Sequence, residues 1–385
     1  MMPYSFPARR LPLAILMALV LAVASFVPPV AALEPPDMTA DSVYSYDLET
    51  GIVLYSKNAD ARHQVGSTVK VATALTVLAN ADPGEEVVAE KSDEVDITVY
   101  SNMQLEAGDT LTVGTLLYGL LLPSGNDAAL ALARHVGTEL CGCDDATQAR
   151  TAFVDAMNAY VESLGLTNTH FENPDGIDHD SAYSSAHDMA ILFGELMKNE
   201  RLAGIIAEPA YSFWSVGANP HNYTGATTNR LLGVDGVVGG KTGTTPEAGA
   251  CVVLAREVAG GEATVITAII GSDVEYDTNA FVVDGSDQRW NDANALFAAM
   301  DQEFSWVEPG AESTFPGLAE EMAVWQVELV GSPLIPYPAS GVEATYQLVL
   351  GEGGSGGRVN LYYDEQQVGS VPVETTAARA VGDAQ

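Results

Sequence analysis

A serine and a lysine three positions apart, Ser67 and Lys70, begin an apolar stretch that runs to Ala79. Its apolar residues recur at the i, i+3, i+4 and i+7 spacing of a helix. Residues three apart share one helix face, so the two side chains can come within hydrogen-bonding distance. No charge follows Lys70 until Asp82, and a partly desolvated lysine favours its neutral amine. The pattern predicts a serine nucleophile beside a lysine base, although Ser-x-x-Lys alone also occurs by chance.

Two further motifs add groups that could line the same cleft. Ser124-Gly125-Asn126 interrupts a helical region and could place a hydroxyl and an amide between helices, although alone it is a turn with a helix cap. Lys241-Thr242-Gly243-Thr244 enters an apolar strand, where glycine permits close backbone approach to a ligand, although alone it fits a bulged edge strand. The order Ser-x-x-Lys, Ser-x-Asn, Lys-Thr-Gly is the set found in serine β-lactamases and penicillin-binding proteins.

The chain resembles the low-molecular-mass penicillin-binding proteins that are D-alanyl-D-alanine carboxypeptidases. The similarity covers roughly residues 41–305 and includes Glu49-Thr50-Gly51, Leu120 to Ala129, Met157-Asn158, Leu164 to Phe171, Asn173 to Ile177, Asp235-Gly236 and Ala248 to Cys251. It departs from the usual Ser-x-Thr-Lys, because the threonine is Thr68 and Val69 precedes the lysine, and it carries an extra Gly239-Gly240 before Lys241. Neither departure removes a group that the chemistry requires.

The resemblance implies a zinc-free serine peptidase that needs no cofactor and removes the terminal D-alanine from peptidoglycan stem peptides. Lys70 takes the proton of Ser67 as Ser67 attacks, and Ser124 relays a proton to the departing amine. The backbone amides of Ser67 and Thr244 form the oxyanion hole. The implied substrate-binding residues are Asn126, Lys241, Thr242, Gly243 and Thr244. Penicillin and other β-lactams are expected to acylate Ser67 and stall.

Two other functions remain open at this point. One is a serine β-lactamase, against which stand Ser124-Gly125-Asn126 in place of Ser-Asp-Asn and the lack of an evident glutamate motif for deacylation. The other is a non-catalytic wall-binding or penicillin-sensing protein that keeps the cleft without turnover.

The predicted fold class is α+β, with one antiparallel sheet built from both ends of a catalytic domain and a helical lobe between them. The pattern predicts a hairpin over 42–55, helices over 67–79, 113–122, 127–136, 152–164, 186–197 and 290–300, and strands at 237–238, 251–255 and 263–270. Ser185 to Asp188 is similar to a capping box. A small all-β domain is expected to follow, with strands over 323–329, 344–350, 359–363 and 368–373.

The first 32 residues are predicted to be a signal peptide. Arg9 and Arg10 precede an uncharged apolar run, and Val30-Ala31-Ala32 offers small residues for cleavage, although an uncleaved anchor remains an alternative. The expected units are therefore 1–32 (signal), 33–305 (catalytic domain) and 306–385 (β-domain), in an exported, extracytoplasmic protein. The tail after Thr375 is too weakly amphipathic to predict a C-terminal membrane anchor.

The remaining features argue against other classes of partner. The formal net charge of −36 disfavours a nucleic-acid partner, which requires a basic surface. His170, His179 and His187 lie near Asp175, Asp178 and Asp180, but their spacing matches neither a zinc motif nor a calcium loop, so no metal is expected.

Cys141 and Cys143 could form a local disulfide or remain thiols, and Cys251 is expected in the core. Arg289 is expected on a solvated helix face, with a charge near the cleft as the alternative.

Overall fold

A computed structural model describes residues 36–217, 220–278, 282–308, 314–331, 333–339, 341–351 and 356–376. The predicted signal peptide, Pro309-Gly310 near the expected domain boundary, and residues 377–385 lie outside the described residues. Within these ranges, none of the helices combines the length and apolar character needed to cross a membrane.

The main sheet is antiparallel and draws its strands from both ends of the catalytic region. The strands are β1 (Ser42–Asp47), β2 (Val53–Lys57), β7 (Val237–Thr245), β8 (Gly249–Val258) and β9 (Ala263–Ser272). Their spatial order is β2-β1-β9-β8-β7. Because the N-terminal β1 pairs with β9 along its whole length, the predicted construction of the sheet is confirmed.

The helical lobe covers one face of this sheet. Its helices are α1 (Lys70–Asn80), α2 (Val113–Leu121), α3 (Asn126–Cys141), α4 (Ala146–Ser163), α5 (Ala186–Lys198) and α6 (Glu200–Ile206). Two short strand pairs that the sequence patterns did not predict lie beside it: β3 (Glu86–Val88) with β4 (Thr110–Thr112), and β5 (Ala210–Trp214) with β6 (Asn222–Ala226). The residues Lys70 to Val77 of α1 are all buried, so this helix is the centre of the lobe.

Side-chain alternation along β8 divides the interior into two apolar clusters. Cys251, Val253 and Ala255 face the cluster formed with the helical lobe, whereas Val252 and Leu254 face the opposite side of the sheet. This is the two-residue period of a strand buried on both faces. Helix α7 (Arg289–Glu303) packs on the second side together with residues of the C-terminal region.

Side-chain caps explain where several helices begin. The hydroxyl of Thr112 accepts a hydrogen bond from the Thr115 amide at the start of α2 (3.1 Å), and the Ser185 hydroxyl accepts from the Asp188 amide at the start of α5 (3.1 Å). The Asp188 carboxylate accepts hydrogen bonds from the Asn168 amide and the Thr169 hydroxyl. Of the two residues of the predicted capping box, only Ser185 caps α5. Asp188 instead connects the helix to the segment that contains Asn168 and Thr169.

The C-terminal region is mainly β-structure, as predicted. Strand β10 (Phe304–Val307) pairs with β12 (Ile335–Pro338), and β11 (Val327–Leu329), β13 (Ala344–Leu350), β14 (Gly357–Tyr363) and β15 (Gln366–Thr375) form a sheet of order β11-β15-β14-β13. The strand predicted from Ala323 is wrong in its first part, because helix α8 (Leu318–Trp325) occupies it. Gln326 ends that helix in the left-handed region, with φ 53°.

The three cysteines resolve into one disulfide and one thiol. Cys141 and Cys143 are bonded, with their Cα atoms 5.3 Å apart, and the left-handed Gly142 between them ends α3. Cys251 is fully buried, which confirms its predicted place in the core.

A single carboxylate links the start of the described chain to the sheet and to α7. Asp292, 2% exposed, accepts hydrogen bonds from the Thr39 amide and hydroxyl (both 2.9 Å), the Ala40 amide (3.0 Å) and the Ser272 hydroxyl (2.6 Å). Hydrogen bonds to a charged acceptor are the stronger ones, and removing that acceptor leaves its donors unsatisfied.

Replacing Asp292 by alanine is therefore expected to lower the free energy of unfolding by about 2–4 kcal/mol. Urea denaturation followed by circular dichroism measures this. The control is Asp301→Asn on the same helix, whose partly exposed carboxylate pairs with Arg256 and is expected to cost less than about 1 kcal/mol. Equal losses in the two variants would contradict the role given to Asp292.

Candidate active site

Ser67 lies in a tight turn that presses against strand β7. Residues Gly66–Val69 form a 3-10 turn directly before α1. A β-carbon on Gly66 would lie 2.9 Å from the Thr244 amide nitrogen, and one on Gly243 would lie 2.4 Å from the Val65 carbonyl oxygen. Only glycine permits so close an approach of two backbones. This contact brings Ser67 and Thr244 together from opposite ends of the catalytic region.

Lys70 is fully buried directly behind the serine. Its Nζ donates hydrogen bonds to Ser67 Oγ (2.8 Å), to Asn126 Oδ1 (2.8 Å) and to the carbonyl oxygen of Asp175 (2.5 Å). An ammonium group has three donors, so these three acceptors satisfy it completely. The predicted contact between Ser67 and Lys70 is confirmed.

The surroundings of Lys70 make it a weaker base than a surface lysine. Burial lowers its pKa from 10.5 to about 8, partly opposed by the negative charges of Asp175 and Asp127. At pH 7 about one molecule in ten then carries the neutral amine, which can accept the proton of Ser67. The apolar α1 therefore contributes to the chemistry as well as to the core.

A second serine and lysine face the first pair. Lys241 is fully buried, and its Nζ donates to Ser124 Oγ and to the Thr242 carbonyl oxygen, both at 2.8 Å. Burial, and then the charges of Lys70 and Arg289, hold the pKa of Lys241 well below 10.5. Ser124 itself has a left-handed φ of 65°, a costly conformation for a residue other than glycine. In this backbone conformation, the Ser124 hydroxyl accepts the hydrogen bond from Lys241.

Asp127 fixes the helix start that carries Asn126. Its carboxylate accepts hydrogen bonds from the amides of Met103 (3.0 Å), Leu105 (2.9 Å) and Ala128 (2.9 Å). The main-chain amide of Asn126 donates a hydrogen bond to the Ser101 carbonyl oxygen (2.8 Å). The sequence patterns did not identify this role of Asp127; its one signal is an acid in the first turn of a helix.

The expectation for Arg289 is wrong. The residue is 3% exposed, and its Nη1 donates to the carbonyl oxygens of Gly243 (2.8 Å) and Cys251 (2.6 Å), while Nη2 donates to the Thr244 hydroxyl. The first turn of α7 lies over β7 and β8, so the side chain turns onto those strands instead of toward solvent. The structure instead agrees with the alternative, in which the Arg289 guanidinium contributes a positive charge beside the cleft.

These elements enclose an open cleft of about 260 Å³. It is lined by Ser67, Ser124, Thr242, Gly243 and Thr244, with Ser101, Thr228, Arg230, Val282, Asp287, Arg289 and Trp290 around them. Lys70, Asn126 and Lys241 are buried in its walls. All eight residues that the sequence singled out therefore meet at one place. Among the described residues, no group of three or more His, Cys, Asp or Glu is arranged to hold a metal ion.

Basic side chains outnumber acidic ones in and directly behind the cleft, although the chain as a whole has a formal net charge of −36. Lys70, Lys241, Arg289 and Arg230 lie there, and the one acid among the cleft-lining residues, Asp287, is paired with Arg289 (2.7 Å). The pKa of Lys241 is lowered partly by the neighbouring cations, so an incoming anion would relieve this repulsion. A nucleophile, a base and an anion site together favour acyl transfer from a substrate that carries a carboxylate.

Comparison with known proteins agrees with this chemistry. A family model described as D-alanyl-D-alanine carboxypeptidase matches residues 30–274. A D-alanyl-D-alanine carboxypeptidase of Streptomyces sp. (strain K15) is 38% identical over 252 residues, which are 63% of this chain and 84% of that protein. The D-alanyl-D-alanine carboxypeptidase DacF of Bacillus subtilis is 33% identical, and the match spans 63% of this chain and 60% of that protein.

Solved structures show the same fold. The crystal structure of the Streptomyces K15 DD-transpeptidase has a TM-score of 0.61 and 35% identity, and the match covers 69% of this chain and 97% of that one. A putative penicillin-binding protein homologue from Mycobacterium tuberculosis has a TM-score of 0.58 and 31% identity, covering 71% of this chain and 94% of that one. The predicted fold class is thereby confirmed.

The basicity of Lys70 can be measured directly. In protein labelled with ¹⁵N-lysine, we expect one side-chain resonance to titrate with a midpoint near pH 8, because burial lowers the pKa from 10.5 to about 8. Loss of this resonance in Lys70→Ala assigns it. A midpoint above about 10, the range of an unperturbed lysine, would contradict the assignment of Lys70 as the base.

Proposed function

Because the chain belongs to the D-alanyl-D-alanine carboxypeptidase family, we propose that it removes the terminal D-alanine from peptidoglycan stem peptides through an acyl-enzyme on Ser67. The observation that carries this proposal is the buried Lys70 amine 2.8 Å from Ser67 Oγ, directly behind the cleft that Ser67, Ser124 and Thr244 line. The enzyme is a serine peptidase and a hydrolase.

Acylation begins at Ser67. In the fraction of molecules with a neutral Lys70, the amine accepts the hydroxyl proton while Oγ bonds to the carbonyl carbon of the penultimate D-alanine. The carbonyl oxygen becomes an oxyanion, for which the backbone amides of Ser67 and Thr244 are the proposed hydrogen-bond donors. Such preorganised donors are each worth about 3–4 kcal/mol of barrier lowering.

Collapse of this intermediate breaks the peptide bond and releases D-alanine. The leaving nitrogen needs a proton, which the Ser124 hydroxyl can donate. Ser124 Oγ then takes a proton from the ammonium group of Lys241, whose Nζ lies 2.8 Å away. Because burial and the neighbouring cations lower the pKa of Lys241, its ammonium is a stronger proton donor than that of a surface lysine. Asn126, whose Oδ1 accepts a hydrogen bond from Lys70, is the residue proposed to orient the substrate amide.

The substrate carboxylate fits the β7 side of the cleft. Thr242 and Thr244 line it, Thr242 Oγ1 is hydrogen-bonded to Thr228 Oγ1 (2.6 Å), and Arg289 donates to the Thr244 hydroxyl. A terminal carboxylate here would receive hydroxyl hydrogen bonds inside a positive field. The carboxylate of a β-lactam would occupy the same place, so these antibiotics are the expected inhibitors.

Water is the proposed acceptor of the acyl group, which completes hydrolysis. The Streptomyces K15 neighbours of solved structure are DD-transpeptidases, and transpeptidation uses an amine in place of water as the acceptor of the acyl group. Both reactions share the Ser67 acyl-enzyme, and they differ only in the nucleophile that attacks it.

The setting of the reaction is also a proposal. We infer that residues 1–32 direct export and are removed, that residues 33–305 form the catalytic domain, and that 306–385 form an accessory β-domain. Arg9, Arg10 and the apolar run that follows them support export, because stem peptides lie outside the cytoplasmic membrane.

The first test is covalent labelling. Intact-protein mass spectrometry after exposure to penicillin is expected to show one long-lived adduct on the wild type and none on Ser67→Ala, because the acylated oxygen is then absent. Ser101→Ala, which removes another hydroxyl from the cleft, should still be labelled. A Ser67→Ala protein labelled as well as wild type would overturn the site, and an adduct lost within seconds would favour a β-lactamase.

Release of D-alanine from a peptide ending in D-Ala-D-Ala tests the activity itself. We expect release by the wild type and none by Ser67→Ala, measured by a coupled D-amino-acid assay. Labelling by penicillin without any release would favour a non-catalytic sensor.

The oxyanion hole can be tested separately by Gly243→Ala. The added methyl group would lie 2.4 Å from the Val65 carbonyl oxygen and 3.0 Å from the Ser67 amide nitrogen, so it must push β7 away from the nucleophile turn. Penicillin acylation is expected to slow about 100-fold or more. Gly204→Ala in α6, where a β-carbon meets no neighbour within 4 Å, is the control, and an unchanged rate in Gly243→Ala would exclude the proposed oxyanion hole.

A further inference from the structure

Asp178 lies in a segment rich in histidine and aspartate, and the proposed mechanism gives it no role. Its carboxylate accepts hydrogen bonds from residues at the end of strand β7: Oδ1 from the Thr245 hydroxyl (2.5 Å) and Oδ2 from the Glu247 amide (3.4 Å). The Thr245 hydroxyl also accepts a hydrogen bond from the Ala248 amide (3.0 Å). Asp178 therefore holds the turn between β7 and β8 from a segment that is distant in the chain.

Strand β7 lies at the edge of the main sheet, where β8 pairs with it on one side only. In the part of the chain that the structure describes, no strand pairs with its other side. Arg289 holds the strand at the Gly243 carbonyl oxygen and the Thr244 hydroxyl, and Asp178 holds it at Thr245. The amide of Thr244, the proposed oxyanion donor, thus lies in the short stretch between these two attachments.

The loop over 173–179 that carries Asp178 also contacts the nucleophile side of the cleft. The Asp175 carbonyl oxygen accepts a hydrogen bond from Lys70 Nζ (2.5 Å). Gly176 has a φ of 85°, and a β-carbon on it would lie 2.2 Å from the Gly66 carbonyl oxygen, so the loop packs directly on the turn that contains the nucleophile. One short loop therefore contacts both the base and the end of the strand that carries the oxyanion donor.

An asparagine side chain braces the loop between these two contacts. Asn173 Oδ1 accepts a hydrogen bond from the Gly176 amide (2.7 Å), and Asn173 Nδ2 donates one to the Ile177 carbonyl oxygen (2.8 Å). These bonds lie between Asp175, at the base, and Asp178, at the end of β7. The separation of the two sides of the cleft is therefore fixed partly by this loop.

We propose that Asp178 is a positioning residue for the oxyanion hole, which holds the end of β7 so that the Thr244 amide keeps its place beside Ser67. This inference rests on the proposed function, in which the amides of Ser67 and Thr244 are the oxyanion donors. A hydrogen bond to a carboxylate is stronger than one between neutral groups, and a misplacement of about 1 Å in an active site can lower the rate about 100-fold. Asp178 acts through Thr245 and has no contact with the reacting atoms.

The experiment is stopped-flow acylation by penicillin at several concentrations, which separates the dissociation constant of the non-covalent complex from the acylation rate constant. In Asp178→Ala we expect the rate constant to fall about tenfold and the dissociation constant to change less than about twofold, because the oxyanion forms only in the transition state. The matched control is Asp180→Ala, which removes an exposed carboxylate from the same segment and should leave both constants unchanged.

Thr245→Val removes the donor of the same hydrogen bond and completes a double-mutant cycle. If Asp178 acts through Thr245, the double variant should be acylated no more than about twofold slower than the slower single variant. Thr245→Ser, which keeps the hydroxyl, should be acylated at close to the wild-type rate. If Asp178→Ala does not fold, the comparison of Thr245→Val with Thr245→Ser tests the same contact.

A wild-type acylation rate constant in Asp178→Ala would overturn the proposal, and so would losses that multiply fully in the double variant. A lower melting temperature with an unchanged rate constant would show a merely structural role and would overturn it too. A wild-type protein that penicillin does not acylate at all would instead overturn the proposed function, so the two failures are distinguishable.

Discussion

The burial of one lysine amine is the constraint on which the rest of the site depends. Lys70 Nζ has no access to water, so the protein itself must supply every hydrogen-bond partner. Its three acceptors come from the nucleophile turn, from the start of α3 and from the turn after Pro174. These segments are far apart in the chain, and satisfying one amine brings them together. The same burial lowers the pKa enough for the lysine to act as a base.

Close backbone packing completes this arrangement from the other side of the cleft. Gly66 and Gly243 allow the nucleophile turn and β7 to touch, and Arg289 links β7 to β8 by donating to both. Strand β7 has a bulge between Val237 and Gly239, and beyond it Gly239 and Gly240 pair with Ala255 and Leu254 of β8. The two glycines before Lys241 therefore lie in the regularly paired part of the strand, and Lys241 meets Ser124.

The departure from the usual Ser-x-Thr-Lys order has a structural explanation. Thr68 donates its hydroxyl hydrogen bond to the Val65 carbonyl oxygen (2.8 Å), which closes the 3-10 turn around Ser67. Val69, in the position before the lysine, is 6% exposed and belongs to the core cluster of the helical lobe. Thus the hydroxyl stabilises the turn while the site before Lys70 is filled by an apolar side chain.

The sequence by itself determined the chemistry-bearing residues and most of the elements that carry them. Short motifs and regular periodicity are local properties, so Ser67, Lys70, Ser124, Asn126 and Lys241 could be selected, and the helices and the main strands could be placed. Alternating apolar residues near Ala323 suit a strand or a helix turn equally, which is why α8 was missed. Only the tertiary structure decided the roles of Asp127, Asp175 and Arg289. Their importance comes from burial and from partners distant in the chain, and neither property is visible in the residues that adjoin them.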